Sequence, residues 1–219
     1  MYKYVKRVLD IIISVTALVI LSPILLIVSI LIKGDSKGPV IFKQERLGLN
    51  KKVFKMYKFR TMQDNSEFSG TGVYSDNSDN RITKMGKFLR KTSIDELPQF
   101  VNILIGDMSI IGPRPPLTYH PFTIDKYTDY QLRIFEVRPG VTGWAQVNGR
   151  REVLWSRRFE LNVWYVDNMS LLLDIKIFFM SIFKVAVNEK NENAFNTVDS
   201  MNENESEEET VNENEYINK

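Results

Sequence analysis

The sequence has no cysteine and only one histidine, His120. Without thiols, disulfides, thiolate nucleophiles and Cys-ligated zinc or iron–sulfur centres are excluded, and the composition is compatible with a reducing compartment. A single imidazole cannot build a His-rich metal cluster, and a Ser-His-Asp machine would rest on His120 alone. Net charge is also scarce, at +2 over 219 residues, but its distribution is uneven. Residues 188–219 hold nine Glu and one Asp against two Lys, a net of −8, so residues 1–187 carry about +10. A basic body suits phosphorylated ligands, anionic headgroups or nucleic acid. The acidic tail has almost nothing to bury and is expected to be disordered.

Charge is missing altogether from residues 11–32, IIISVTALVILSPILLIVSILI. A straight helix of that length would be roughly 33 Å long, enough to cross a ~30 Å hydrocarbon core. Two features argue against a plain crossing. Ser22-Pro23 falls at the middle, where proline removes a backbone donor. Basic residues also flank both ends, Lys3, Lys6 and Arg7 before and Lys33, Lys37 and Lys43 after, and positive charge marks the cytoplasmic side. A helix–break–helix that enters and leaves one leaflet satisfies both facts, whereas a kinked spanning helix satisfies only the proline. The run is too long for a signal-peptide core and lacks a small-residue cleavage site. Asp10, at the membrane edge, is expected to pair with a neighbouring basic residue.

Beyond the apolar run, residues 40–46 and 52–60 read as a short hairpin around Gly48-Leu49-Asn50. Residues 64–80 are polar and aperiodic, a surface loop or a lid. Leu97, Phe100, Val101 and Leu104 follow the spacing of an amphipathic helix that Gly106 would end. Further helices are expected over residues 124–136 and 152–166. Residues 170–187 are apolar but interrupted by Asp174 and Lys176, as in a helix lying at the interface. The expected fold is mixed α/β and mainly helical: a membrane anchor over 1–37, a compact domain over 38–187 and a tail over 188–219.

The chemistry points to phosphate and to one acidic pair. Lys51, Lys52, Lys55, Lys58 and Arg60 decorate the second strand, and Lys84, Lys87, Arg90 and Lys91 precede the amphipathic helix. Pyrophosphate recognition needs Arg forks together with backbone donors. Arg114, between Pro113 and Pro115, is held at low entropy for that task. Asp95-Glu96 has a purely structural reading, since Ser93 and Glu96 match a capping box. Pro98 weakens it, because with Ser93 as cap the proline falls where an N–H is needed. A carboxylate held ionised by the helix end, Arg90 and Lys91 would instead serve as a nucleophile.

These residues also occur in an ordered set of motifs. Lys6-Arg7 with Asp10, Ser22-Pro23, Gly38-Pro39-Val40-Ile41-Phe42, Lys58-Phe59-Arg60-Thr61-Met62, Phe88-Leu89-Arg90, residues 93–99, Gly106-Asp107-Met108-Ser109, Gly112-Pro113-Arg114-Pro115 and PGVTGWAQVNG at 139–149 follow one another. The set resembles the bacterial sugar transferase family, the monotopic polyprenyl-phosphate phosphoglycosyl transferases, over about residues 3–187. Because the chain begins almost directly at the apolar run, the resemblance is to the small form.

The resemblance implies an inner-membrane enzyme facing the cytoplasm. It would transfer a sugar 1-phosphate from a UDP-sugar to polyprenyl phosphate with Mg²⁺ and release UMP. The family's catalytic pair lands on Asp95 and Glu96, which would also hold the metal. Asp95 would form a phosphosugar adduct, while Glu96 would hold Mg²⁺ or accept a proton. Lys58, Arg60, Arg90, Arg114 and Arg150 are the phosphate-binding candidates, and Gln146 is a sugar or uridine contact. Competing readings are a glycosyltransferase releasing UDP and a non-catalytic membrane scaffold. Nucleic-acid binding is disfavoured by the missing stacking motif and the membrane segment.

Overall fold

The computed structural model describes residues 2–64, 66, 79–148 and 154–186. Arg150, most of the polar loop and the acidic tail lie outside the described residues.

The apolar run belongs to one helix, α1, Tyr2–Asp35, the one helix among the described residues long and apolar enough to cross a membrane. Its helical residues continue through Ser22-Pro23, so the expected interruption is not a gap in the helix. The reason is local. Pro23 cannot donate to the carbonyl of Val19, and the Ser22 hydroxyl donates to that carbonyl instead, at 2.8 Å.

A stripe recurring every three or four residues, Asp10, Ser14, Leu18, Leu21, Leu25, Val28 and Ile32, is wholly or partly buried against the rest of the protein. The opposite side is uncovered: Val19, Ile20 and Leu26 are each at least 64% exposed. Both ends of α1 are fastened to the same body. Near its start, Arg7 donates to the carbonyls of Ile103 and Leu104, and Lys6 pairs with Asp174 at 2.5 Å. Near its finish, Val28 and Ile32 pack with Phe59 and Leu89, and Asp35 accepts from the Met85 amide. Asp10 does not pair with Lys6 or Arg7 as expected. It is buried and accepts from the amide of Ile110, a hundred residues away, because its basic neighbours are occupied elsewhere.

The hairpin forms as expected, with β1 (Ile41–Leu47) antiparallel to β2 (Val53–Phe59) and Ile41 facing Phe59 in register. A helix the sequence did not announce follows, α2 (Lys84–Thr92), capped by the Thr83 side chain. A 3-10 turn, Ile94–Glu96, then leads into α3 (Gln99–Ile105), which Gly106 ends in the left-handed region at φ 100°. The face of α3 turned to the body is Gln99, Asn102 and Ile103, whereas Val101 and Ile105 are exposed. Of the predicted apolar stripe, Leu97, Phe100 and Leu104 are half-buried, Phe100 packing against Met56, Ile103 and Met108, and only Val101 is exposed.

Two short strands, β3 (Ser109–Ile111) and β4 (Gly140–Thr142), pair in parallel. Between them, the expected helix over 124–136 is split by Thr128, whose capping box with Gln131 starts α4 (Asp129–Leu132). The remainder is α5 (Trp144–Asn148), α6 (Trp155–Asn168) and α7 (Leu171–Ala186). Asp174, which interrupts the apolar run of α7, faces inward and accepts from Tyr2, Lys6 and Tyr165. Leu172, Phe179 and Phe183 on the same helix are at least 65% exposed.

Candidate active site

Asp95 and Glu96 lie on the 3-10 turn between α2 and α3, not inside a regular helix. Ser93 creates this position. Its left-handed backbone (φ 57°) ends α2, and its side chain makes no capping bond, so the capping-box reading of Ser93 and Glu96 fails. The acidic pair is thus presented on a tight connection whose start is fixed by α2 and whose end is fixed by Pro98 and α3.

Across from the turn stands β2. Lys58 donates to Glu96 Oε1 at 2.7 Å. The strand is held at the right height by Asn102, which is fully buried on α3. Its side-chain oxygen accepts from the Tyr57 amide at 2.9 Å, and its side-chain nitrogen donates to the Lys55 carbonyl at 2.8 Å. One amide side chain thereby acts as a rung of sheet, joining the free edge of β2 to the helix that follows the acidic pair.

A third wall comes from the proline-rich segment 112–116. Its backbone is pressed against β4: a Cβ on Gly140 would sit 2.1 Å from the Gly112 nitrogen, and one on Gly143 would sit 2.0 Å from the Gly112 oxygen. No side chain fits at these positions. The amide of Gly140 donates to the Pro113 carbonyl at 2.9 Å, and that of Leu47 on β1 donates to the Pro116 carbonyl at 3.0 Å. Arg114 thus points from a segment clamped on both sides into a cleft lined also by Arg46, Lys58, Glu96 and Gln99.

The electrostatics separate the two carboxyls. Burial pushes Asp95 up to about 6, against the pull of Lys58 and Arg90. The expectation that its neighbours keep it an ordinary ionised carboxylate is therefore only partly met, because desolvation is the larger effect. Burial also raises Glu96, but Lys58, Arg114 and Arg46 outweigh it and hold that carboxyl below its usual value.

Lys58, Arg90 and Arg114 all act on the pair; Arg90 is further fixed by a bond from Nε to Thr61 Oγ1 at 3.0 Å. Arg60 does not join them. It is buried, and its two Nη groups donate at 2.7 Å to the carbonyls of Lys37 and Ser36, so it caps the end of α1. Gln146 sits on α5 beside Gly143, its side-chain nitrogen and oxygen buried and without partners among the described residues. Arg150 is outside the described residues.

Sequence reasoning missed Arg46 and Asn102. Arg46 was hidden because the lysines of the facing strand drew attention, although its position two residues before Gly48, at the end of β1, was a signal. Asn102 was hidden because a polar residue in a helical apolar pattern normally reads as surface.

Among the described residues no group of three or more His, Asp or Glu could by itself hold a metal ion. The donor set is two adjacent carboxylates among basic side chains, one of them, Glu96, lining the cleft. That suits Mg²⁺, which takes one or two carboxylates and completes its shell with water and substrate phosphate.

Residues 1–188 match the family described as bacterial sugar transferase. The chain is 46% identical over 185 residues to EpsL of Bacillus subtilis, an uncharacterized sugar transferase, covering 84% of this chain and 88% of EpsL. It is 44% identical over 192 residues to the UDP-glucose:undecaprenyl-phosphate glucose-1-phosphate transferase of Klebsiella pneumoniae, covering 84% of this chain and 40% of that protein. Over 184 residues it is 42% identical to the UDP-N-acetylgalactosamine-undecaprenyl-phosphate N-acetylgalactosaminephosphotransferase of Aeromonas hydrophila, covering 83% of this chain and 43% of that one. It therefore spans most of EpsL and about two-fifths of the two phosphotransferases. With the match running from the first residue through α7 and taking in every wall of the cleft, the chain belongs to the bacterial sugar transferase family.

Proposed function

We propose that this protein transfers a sugar 1-phosphate from a UDP-sugar to undecaprenyl phosphate, releasing UMP, as the first membrane step of exopolysaccharide synthesis. The observation that carries the reading is the acidic pair set among Lys58, Arg90 and Arg114, with Glu96 lining a basic cleft. The named relatives, two of which are sugar-phosphate transferases acting on undecaprenyl phosphate, support it.

Asp95 is the nucleophile. Its carboxylate oxygen bonds to the phosphorus that carries the sugar, and the bond from that phosphorus to the UMP oxygen breaks, the electron pair leaving with UMP. An oxygen of the acceptor phosphate then attacks the same phosphorus and restores the carboxylate. A carboxyl at about 6 is largely ionised at neutral pH and, being poorly solvated, more reactive than one in water. Lys58, Arg90 and Arg114 neutralise phosphate charge as UMP departs. Lys58 also holds Glu96 in place. Asp95 and Glu96 are the residues that would hold Mg²⁺, which would supply further neutralisation of phosphate charge. Gln146 is placed here as a donor-sugar or uridine contact, and Arg150 as a phosphate contact.

Residues 1–37 are the anchor, 38–187 the catalytic domain and 188–219 a tail outside it. α1 enters and leaves the cytoplasmic leaflet. The attachments of Arg7 and Asp10 at one end and of Ile32 and Asp35 at the other support this, since a crossing would need the same body on both sides of the bilayer. Exposed apolar side chains on α7 suit an interfacial helix beside it.

The test is to incubate the full chain, in nanodiscs, with a panel of UDP-sugars, Mg²⁺ and undecaprenyl phosphate while measuring UMP and UDP. UMP release with one donor, lost together with the trapped phosphosugar adduct in Asp95→Asn, is the expected result. Stoichiometric UDP, or full activity in Asp95→Asn, would overturn the mechanism.

A further inference from the structure

Arg46 has no role in the chemistry described so far, yet its placement is costly without one. It stands at the end of β1, in the cleft lined by Lys58, Glu96 and Arg114. One of its terminal nitrogens donates to the Pro115 carbonyl at 3.0 Å and the other to Gln44 Oε1 at 2.6 Å. Its third donor nitrogen, Nε, is buried and has no partner among the described residues. Neither Arg46 nor Arg114 forms a salt bridge among the described residues, and the carboxylate that lines the same cleft, Glu96, is already bound to Lys58. Three cations thus share one cleft with a single engaged carboxylate. Desolvated like charges of this kind are unfavourable unless an anion joins them.

The two arginines are also fixed relative to each other. The bond from Arg46 to the Pro115 carbonyl ties one guanidinium to the residue that follows the other. The Leu47 amide on the Pro116 carbonyl and the bridge between Arg46 and Leu117 fasten the same two segments. Proline on both sides of Arg114 removes most of the remaining freedom. A pair of guanidinium planes set by backbone in this way is suited to oxygens with fixed spacing, as a phosphate presents.

We infer that Arg46 and Arg114 form a paired-arginine subsite for a substrate phosphate group, next to Glu96 and separate from the contact made by Arg90. The inference rests on the transferase reading above. Two substrates carry the required chemistry: the diphosphate of the donor and the phosphate monoester of the lipid acceptor. Arg46 offers the phosphate the N–H groups left over on its two terminal nitrogens and positions Arg114 through Pro115.

Because the inference concerns binding, the test separates it from turnover. Full-length wild type, Arg46→Gln and Arg46→Lys are compared in nanodiscs. The first measurement is the shift in unfolding temperature produced by inorganic pyrophosphate, and in parallel by farnesyl phosphate. The second is KM for the donor and for undecaprenyl phosphate, each with the other saturating. The expected result is that Arg46→Gln loses the stabilisation by one of the two probes and raises KM for the matching substrate by roughly ten- to a hundredfold. Arg46→Lys recovers part of the loss. A pyrophosphate effect assigns the subsite to the donor, and a farnesyl phosphate effect assigns it to the acceptor.

If Arg46→Gln lowers the unfolding temperature but keeps both ligand shifts and both KM values, Arg46 is a structural residue and the inference is wrong. If Arg46→Gln does not fold, Arg46→Lys decides alone: unchanged ligand shifts and KM values overturn the subsite, and a partial loss of one supports it. Failure of the wild type to release UMP would instead remove the transferase reading, while the probe-binding shifts would still test the paired arginines.

Discussion

Replacing Asn102 by leucine keeps the volume of the side chain but removes the rung between β2 and α3. The Tyr57 N–H and the Lys55 carbonyl, now bonded at 2.9 and 2.8 Å, would lose their partner together. An unsatisfied buried backbone group costs ~1–3 kcal/mol, so two cost ~2–6, and because both bonds here are part-buried the sum falls in the lower half, about 2–4 kcal/mol. For a chain of this size each kcal/mol lowers the unfolding temperature by about 2–4 °C, so a fall on the order of 4–16 °C is expected. Thermal unfolding of the variant in nanodiscs measures it. Hydrogen exchange at the Tyr57 amide gives the local readout and should accelerate well beyond the global effect. Lys58 rides on the same strand, so transfer activity should fall as well. A drop of less than about 2 °C with unchanged protection of Tyr57 would refute the idea that this side chain holds the strand to the helix.

The pH dependence follows from Asp95, whose folded carboxyl lies at about 6, above its ordinary value. As the proposed nucleophile it must be ionised, so single-turnover UMP release should fall about tenfold per pH unit below about 6 and level off above it; a profile flat from pH 5 to 8 would contradict the assignment. The raised value also means that burial of ionised Asp95 opposes folding above the unfolded carboxyl range, so Asp95→Asn should be at least as stable as wild type at pH 7.5. Arg60→Met should cost about 2 kcal/mol through the uncapped end of α1, seen in thermal unfolding, with donor KM changed less than about twofold; a tenfold rise in KM would return Arg60 to the phosphate site. Asp174→Leu strips partners from Lys6, Tyr2 and Tyr165 and should cost about 3–5 kcal/mol, with faster proteolysis near Lys6. Equal cleavage rates in variant and wild type would show that the start of α1 is held by other contacts.

Much of this architecture was legible because it depends on local chemistry. The uncharged run was legible as apolar helix, though not its continuity through Pro23; the hairpin was marked by Gly48 and Asn50, and Gly106 ended α3 where its backbone had to turn left-handed. The acidic pair was visible from its awkward relation to Pro98. What escaped depends on partners distant in sequence. β3 and β4 are three residues each and meet across the intervening segment, too short to carry any period of their own. α2 has few apolar residues and is defined by its Thr83 cap and by Gly86, which packs on the Thr61 carbonyl.

The apolar stripe around α3 was only partly legible. Leu97, Phe100 and Leu104 are half-buried as their spacing implies, but the best-buried face is Gln99, Asn102 and Ile103, and periodicity gives no weight to a buried amide that bonds to a strand backbone. Arg60 and Arg114 looked alike as candidate phosphate ligands. Only tertiary structure distinguishes an arginine that closes a helix end from one that looks into a cleft.

The double fastening of α1 has a consequence for the membrane itself. If α1 enters and leaves one leaflet, as proposed, it adds its volume to that leaflet and nothing to the other. Insertion therefore has to spread the headgroups of that leaflet, and its free energy depends on how tightly they are packed. The enzyme should partition toward patches where the cytoplasmic leaflet is loosely packed or outwardly curved. Where a cell lays down its polymer would then be set partly by lateral pressure in the bilayer, with no protein receptor needed to choose the place.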